Sequence, residues 1–165
     1  MTKPTLRDYK FNPDFDEYQL DIIEQGIDEG YDVSIYADPK YSTAQMMEIL
    51  EGLRSGVDVK VYADPSIHFL QMMEIRKGLE HNINILSFCS LAYGHQAMQQ
   101  VRLGLERGLE PYQVAYYANI KFNWKQMQEI RTALEQHLDV KDMLDPKLSY
   151  QAMKAMRYEK LGRRV

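Results

Sequence analysis

Apolar residues return along this chain at two nested spacings. Over short stretches they stand three and four apart, as at Met46, Ile49 and Leu53, which is the stripe of an amphipathic helix. Over long stretches they return every 26 residues. Phe15, Tyr41, Ile67, Tyr93, Phe122 and Leu148 keep one such step. Leu20, Met46, Met72, Met98, Met127 and Met153 keep a second, and Ile23, Ile49, Ile75, Val101, Ile130 and Met156 a third. The step is 29 residues only between Met98 and Met127, with three residues added near positions 111–113. The register then returns, the behaviour of a loop insertion in a repeat protein. The string Tyr-Ala-Asp-Pro, at 36–39 and again at 62–65, recurs on the same period.

Polar residues punctuate each period as helix signals. Asp16 with Gln19, Ser42 with Gln45 and Asn123 with Gln126 are capping-box pairs, in which the first side chain accepts from an early backbone N–H and the Gln reaches back. The opening aromatic and the Leu or Met five residues later are then the two halves of a hydrophobic staple. Gly30, Gly56 and Gly108 fall where a helix of about 13 residues needs a left-handed exit; Asn82 suits that place, and His137 suits it less well.

A short second element follows. Asp32, Asp58 and Asp139, with Asn84 at the same place, read as N-caps of one turn of α or 3-10 helix that Asp-Pro ends. A short strand is the alternative, since Val-Ser-Ile-Tyr and Val-Lys-Val-Tyr alternate; the cap and the Ala before Asp-Pro favour helix. Gly26, Gly52, Gly78 and Gly104 recur inside the long helix, with Ala133 as the fifth member. A mid-helix Gly costs ~1 kcal/mol against Ala, so its return predicts close approach by a neighbouring backbone. The fold expected is all-α: a helical-repeat solenoid of about six 26-residue units, each with one long α-helix and one short α or 3-10 helix. Residues 1–165 form one repeat domain in this reading. Residues 1–14 make an N-terminal half-unit cap, 15–148 the repeats, and 149–165 a capping helix with a basic tail.

Composition adds three points. Apolar residues at 45% and charged residues at 27% give the balance of a soluble globular chain. No stretch approaches the ~18 apolar residues of a membrane span, and the first residues show no secretory h-region, so a cytoplasmic location is expected. The lone Cys89 fits a reducing compartment and stands where Ala37, Ala63 and Ala118 stand, the place of a small buried side chain. Charge is uneven: residues 1–67 carry fourteen Asp/Glu against six Lys/Arg, a net of −8, and residues 68–165 carry ten against fourteen, a net of +4. An acidic end suits a basic partner surface, and plain solvation of both halves is the alternative.

Candidate chemistry is thin. His68 and His95 fall near helix starts and His81 and His137 near helix ends, with no i, i+4 ligand pair, so no metal site is expected. No glycine-rich phosphate loop and no paired acid and base are present, so neither a cofactor nor catalysis is expected. Tyr36, Tyr62 and Tyr117, at repeated places, are read as core before recognition surface. Of the methionines, Met47 and Met73 lie off the core stripe and could reach a partner. Arg76, Arg102, Arg131 and Arg157 make a ladder with one rung per unit, which a phosphate backbone could read. Glu80, Glu106 and Glu135, four residues on, instead offer i, i+4 pairs to the first three, and the structural role is favoured. Arg157 lacks that acid and joins Lys147, Lys154, Lys160, Arg163 and Arg164 in a basic C-terminal region.

The run Gln71–Glu80, approximated by 126–135 and followed by Asp-Val-x-x-Tyr-Ala-Asp-Pro, resembles a tandem helical repeat of uncharacterised proteins from bacterial, chiefly Firmicutes, mobile elements. The resemblance covers roughly residues 15–148; in architecture the chain also loosely resembles leucine-rich-variant repeats. The first resemblance carries no catalytic residue and implies anti-defence work, such as inhibiting a CRISPR effector, only by analogy. The function expected is non-catalytic binding of a protein partner through a solenoid surface. The alternatives are nucleic-acid binding through the basic C-terminal region and, ranked lower, small-molecule binding or catalysis. Exposed solenoid ends leave a homodimer open.

Overall fold

The computed structural model of the chain describes residues 5–162. Within them every regular element is helical and there is no strand. The chain divides into two compact units between Glu80 and His81, where the periodicity reads as one domain. The first unit holds α1 (Arg7–Lys10), α2 (Glu17–Asp28), α3 (Thr43–Ser55) and α4 (Phe69–Glu80), with single 3-10 turns at Val33–Ile35 and Val59–Val61. The second holds a 3-10 turn at Ile85–Ser87, α5 (His95–Glu106), α6 (Pro111–Tyr117), α7 (Trp124–Glu135), a 3-10 turn at Lys141–Met143, and α8 (Tyr150–Gly162).

The polar punctuation works as local chemistry predicts. Ser42 Oγ accepts from the Gln45 N–H, and the Ser42 N–H donates to Gln45 Oε1 at 2.8 Å; Asp16 with Gln19 and Asn123 with Gln126 do the same. The helices leave through left-handed residues, Gly30, Gly56 and Gly108 at φ 84°, 74° and 86°, and also Asn82 at 60° and His137 at 57°. The short second element is 3-10 helix, not strand. Asp32, Asp58 and Asn84 each accept from the N–H two residues on, at 3.1 Å, which starts the turn. Asp38 and Asp64 then accept at Oδ1 from Lys40 and Ser66, closing an Asx-turn around the proline at 2.9 and 2.8 Å. The three extra residues are not a loop insertion. They lengthen the short element into the two-turn α6, with Pro111 at its first position, where the missing N–H costs nothing.

Two features of the core were not legible as read. At Gly26, Gly52 and Gly104 the mid-helix glycine admits a tyrosine, not a neighbouring backbone. A Cβ on Gly26, Gly52 or Gly104 would overlap the hydroxyl oxygen of Tyr36, Tyr62 or Tyr117 respectively. Each hydroxyl donates to the carbonyl four residues before its glycine: Ile22 at 3.1 Å, Glu48 at 3.0 Å and Gln100 at 3.2 Å. All three tyrosines are fully buried.

The capping-box glutamines also do more than cap. Their amide nitrogens reach about twenty residues on and hold the next turn. Gln45 Nε2 donates to the carbonyls of Pro65 at 2.9 Å and Ile67 at 2.7 Å, and Gln126 Nε2 to those of Pro146 at 3.0 Å and Leu148 at 2.7 Å. Gln19 makes the same pair with Pro39 at 3.3 Å and Tyr41 at 2.6 Å. A buried carboxamide thus satisfies one N–H and two C=O groups that would otherwise be stranded in a loop under packed helices. Around these ties the apolar positions are fully buried in each unit: Ile23, Met46, Ile49, Met72 and Ile75 in the first, and Met98, Val101, Met127, Ile130 and Met153 in the second. Leu50 is buried at 1% exposure, while Leu53 of the expected stripe is only half-buried.

Candidate interaction surfaces

Each rung of the arginine ladder is ion-paired with an acid of its own unit. In the first, Arg76 Nε donates to Glu48 at 2.9 Å and Nη1 to Glu80 at 2.6 Å. In the second, Arg131 pairs with Glu135 and donates through Nε to Gln100 Oε1 at 3.0 Å. Arg102 reaches both oxygens of Glu106 at 2.8 Å. Arg157, which lacks an acid four residues on, finds one across the gap between α8 and α7. Its Nε donates to Glu129 at 2.9 Å, and the side chain is only 9% exposed.

This thins the basic C-terminal region expected from sequence. Arg157 is in a buried pair and is not a free surface cation. Lys160 donates to Asp142 Oδ1 at 2.7 Å and to the Asp139 carbonyl at 2.8 Å. Lys154 is exposed, and Arg163 and Arg164 lie outside the described residues. Met47 on α3 is 49% exposed, while Met73, at the same register on α4, is half-buried. Among the described residues no group of three or more His, Cys, Asp and Glu side chains is placed to hold a metal ion. Cys89 is buried, its Sγ 3.3 Å from the Ile85 carbonyl, and burial pushes the thiol up to about 11, away from reactivity. Among the described residues no helix is long and apolar enough to cross a membrane.

Two surfaces stand out among the described residues. The first is on α6. Val114 and Tyr117 anchor that helix in the core at 0% exposure, which turns Tyr112 (64%) and Tyr116 (44%) outward. Their rings meet edge to face, with centroids 6.3 Å apart. They rim a groove of about 190 Å³ whose floor includes Leu134, Leu138, Val140 and Leu144. The periodicity gave no hint of these tyrosines, because the added residues fall outside it. The signal was local: Glu110 and Gln113 frame a proline start, so residues 112 and 116 are i, i+4 neighbours on a helix.

The second surface is on α2. Glu17, Asp21, Glu24 and Asp28 are all exposed and share one face of the helix, and no basic residue lies within α2. Like charges at i, i+4 each cost roughly 0.2–0.5 kcal/mol, so this face carries a small repulsion of its own.

No family model, curated protein or solved structure matches this chain.

Proposed function

We propose that the chain is a non-catalytic binding module that grips a protein partner, its 26-residue units stacked as a solenoid that holds the contact residues on a stiff frame. One observation carries the reading. The single departure from the period builds α6, and α6 turns two tyrosines outward over an apolar groove. Tyrosine supplies large contact area at low conformational cost and is enriched at the energetic centres of interfaces. The acidic face of α2 adds a charge preference for a basic partner surface. The mobile-element resemblance gives the specific version, an anti-defence inhibitor whose acidic half occupies a nucleic-acid channel. Nucleic-acid binding by the chain itself has less support, since Arg157 and Lys160 are already paired with Glu129 and Asp142.

Affinity capture from a bacterium related to the source, with quantitative mass spectrometry, tests the reading. The wild type is expected to retain a saturable protein partner that Tyr112→Ala/Tyr116→Ala loses with the fold intact by circular dichroism. Asp21→Lys/Glu24→Lys should slow association and flatten its salt dependence. Absence of any saturable partner, or full retention by the double tyrosine variant, overturns it.

A further inference from the structure

The glutamine tie is absent from one complete period, and the groups it would serve remain. The position held by Gln19, Gln45 and Gln126 is Ala97 at the start of α5. For Gln19, Gln45 and Gln126 the carboxamide oxygen accepts from the backbone N–H of the cap residue, at 2.8 Å in each, and Gln71 accepts likewise from the His68 N–H at 3.4 Å. In the first three the carboxamide nitrogen donates to two carbonyls of the following turn. Allowing for the three added residues, the equivalents at Ala97 are the Gly94 N–H and the carbonyls of Ile120 and Phe122. Among the described residues none of the three has a hydrogen-bond partner. Gly94 takes the extended cap conformation of its counterparts, φ −65° and ψ 155° against −67° and 157° at Ser42, so the donor has the same backbone setting.

Between these groups lies a cavity of about 220 Å³, lined by Gly94, Ala97, Ile120, Phe122 and Trp124 among others. Its outer edge is Ile120, 65% exposed, at the place where Pro39, Pro65 and Pro146 stand in the other turns. One donor and two acceptors converge over a mostly apolar wall. That is the complement of a primary carboxamide: one acceptor oxygen and two N–H donors on a planar group. A carboxylate offers no donor and would face two carbonyl oxygens. A tertiary amide offers none either.

We propose that this niche binds a primary carboxamide carried on a short apolar stem, the glutamine side chain being the form a polypeptide would present. The chain contains its own templates for the bound state in Gln45 and Gln126. The ligand oxygen accepts from Gly94 N–H, its nitrogen donates to the Ile120 and Phe122 carbonyls, and its stem lies against Ala97 and Phe122. The inference does not depend on the partner proposed above, because its test uses small molecules.

Propionamide is the glutamine side chain cut at its Cα–Cβ bond, and it is the first probe. Titrated into the full chain and followed by NMR, it should shift the Gly94 amide and the Ile120 and Phe122 carbonyls saturably, in the millimolar range expected of so small a ligand. Propionate and N,N-dimethylpropionamide, matched in stem, should bind at least ten-fold more weakly. Ala97→Gln supplies the carboxamide internally. It should abolish the propionamide response and raise the melting temperature by several degrees. Acetyl-glutamine N-methylamide separates the sources: binding tighter than propionamide supports a polypeptide glutamine, and binding by propionamide alone supports a free small amide. The proposal is overturned by an equal response to all three stem-matched probes, by an undiminished response in a folded Ala97→Gln, or by no saturable shift at all. The ligand controls decide the matter even if that variant does not fold.

Discussion

The hydroxyl oxygen of Tyr62 occupies the space that a side chain on Gly52 would fill, and it donates a hydrogen bond of 3.0 Å to the carbonyl of Glu48, one helical turn before that glycine. Tyr36 with Gly26 and Tyr117 with Gly104 repeat the arrangement. The period places Met143 where these tyrosines stand, and there the helix carries Ala133 in place of glycine. In these three periods the hydroxyl and the missing methyl are two halves of one packing solution; at Gly78 the same step brings Phe88, which has no hydroxyl. The apolar, flexible methionine goes with the alanine.

That pairing makes a directional prediction. Gly52→Ala gains about 1 kcal/mol of helix propensity. It also forces Tyr62 out of its notch, an overpacking cost of about 1–3 kcal/mol with a further ~1 kcal/mol for the lost hydrogen bond. A net loss of about 1–3 kcal/mol is expected. Adding Tyr62→Met, the combination native at Ala133 and Met143, should recover most of it. Urea unfolding of the two single variants and the double variant gives the coupling energy. A double variant no more stable than Gly52→Ala would show that the notch does not set the glycine.

Alkaline pH should unfold the protein through the same residues. Burial holds the phenols of Tyr36, Tyr62 and Tyr117 well above their usual range, because the ionised form is poorly solvated in the core. Below pH ~10 both folded and unfolded chains keep these protons and no stability change results. Above it the unfolded chain releases them first, so it binds fewer protons than the native state and stability falls as pH rises. The limiting slope is about 1.4 kcal/mol per pH unit for each tyrosine. Cys89, raised to about 11 from an ordinary value near 9, begins the fall earlier, between those values. Denaturation midpoints between pH 8 and pH 11 should show this two-stage loss. Cys89→Ala should remove the first stage and Tyr117→Phe should shallow the second.

Most of the helical scaffold was legible in the sequence because it is written in short-range rules. Ser42 and Gln45 lie three residues apart, and a left-handed residue such as Gly56 follows α2, α3, α4, α5 and α7. Such signals need no knowledge of what packs where. What was missed depends on distances of ten residues and more. Nothing near Gly52 reveals that Tyr62 will fill its notch. Nothing near Gln45 reveals that Pro65 and Ile67 will need its amide. The glutamine was read as a cap because capping is the local half of its work. Arg157 obeys the same logic: no acid stands at i+4, and Glu129 lies 28 residues back. The exposed Tyr112 and Tyr116 stand on an element that the added residues build, outside the period that marks the rest.

Removing a tie should be costly in proportion to what it leaves behind. Gln126→Ala strands the Asn123 N–H and the carbonyls of Pro146 and Leu148. With roughly 1–3 kcal/mol for a buried group left unpaired, and partial rescue by solvent at this half-exposed turn, a total loss of about 2–4 kcal/mol is expected. Gln126→Glu should be worse at neutral pH, because a carboxylate sets negative charge against two carbonyl oxygens. Protonation removes that repulsion and restores one donor, so this variant alone should recover stability relative to wild type as pH falls toward 4. Equal losses for the two variants across that range would mean that the amide hydrogens are not what the turn requires.

The ion pair of Arg157 with Glu129 offers the sharpest comparison, since the chain also holds an apolar version of it. The two places correspond to Leu50 and Ile22, both buried, in the first unit. In the second unit, Glu129 and Arg157 are 11% and 9% exposed at the side chain, so each is largely stripped of water and depends on the other. Arg157→Leu alone leaves the Glu129 carboxylate facing a core it cannot leave, and a loss of about 3–5 kcal/mol is expected. Glu129→Ile alone should cost a similar amount, softened by the hydrogen bond of 3.3 Å from Arg157 to Gln136. The double variant Glu129→Ile/Arg157→Leu copies the Ile22 and Leu50 combination and removes the desolvation penalty of both charges. Its stability should return to within about 1 kcal/mol of wild type, and its unfolding should lose the salt dependence contributed by this pair. Thermal unfolding of the four proteins at low and high salt closes the cycle. A double variant as unstable as either single one would mean that the pair is held for its geometry on α8, with the charges doing what apolar packing cannot.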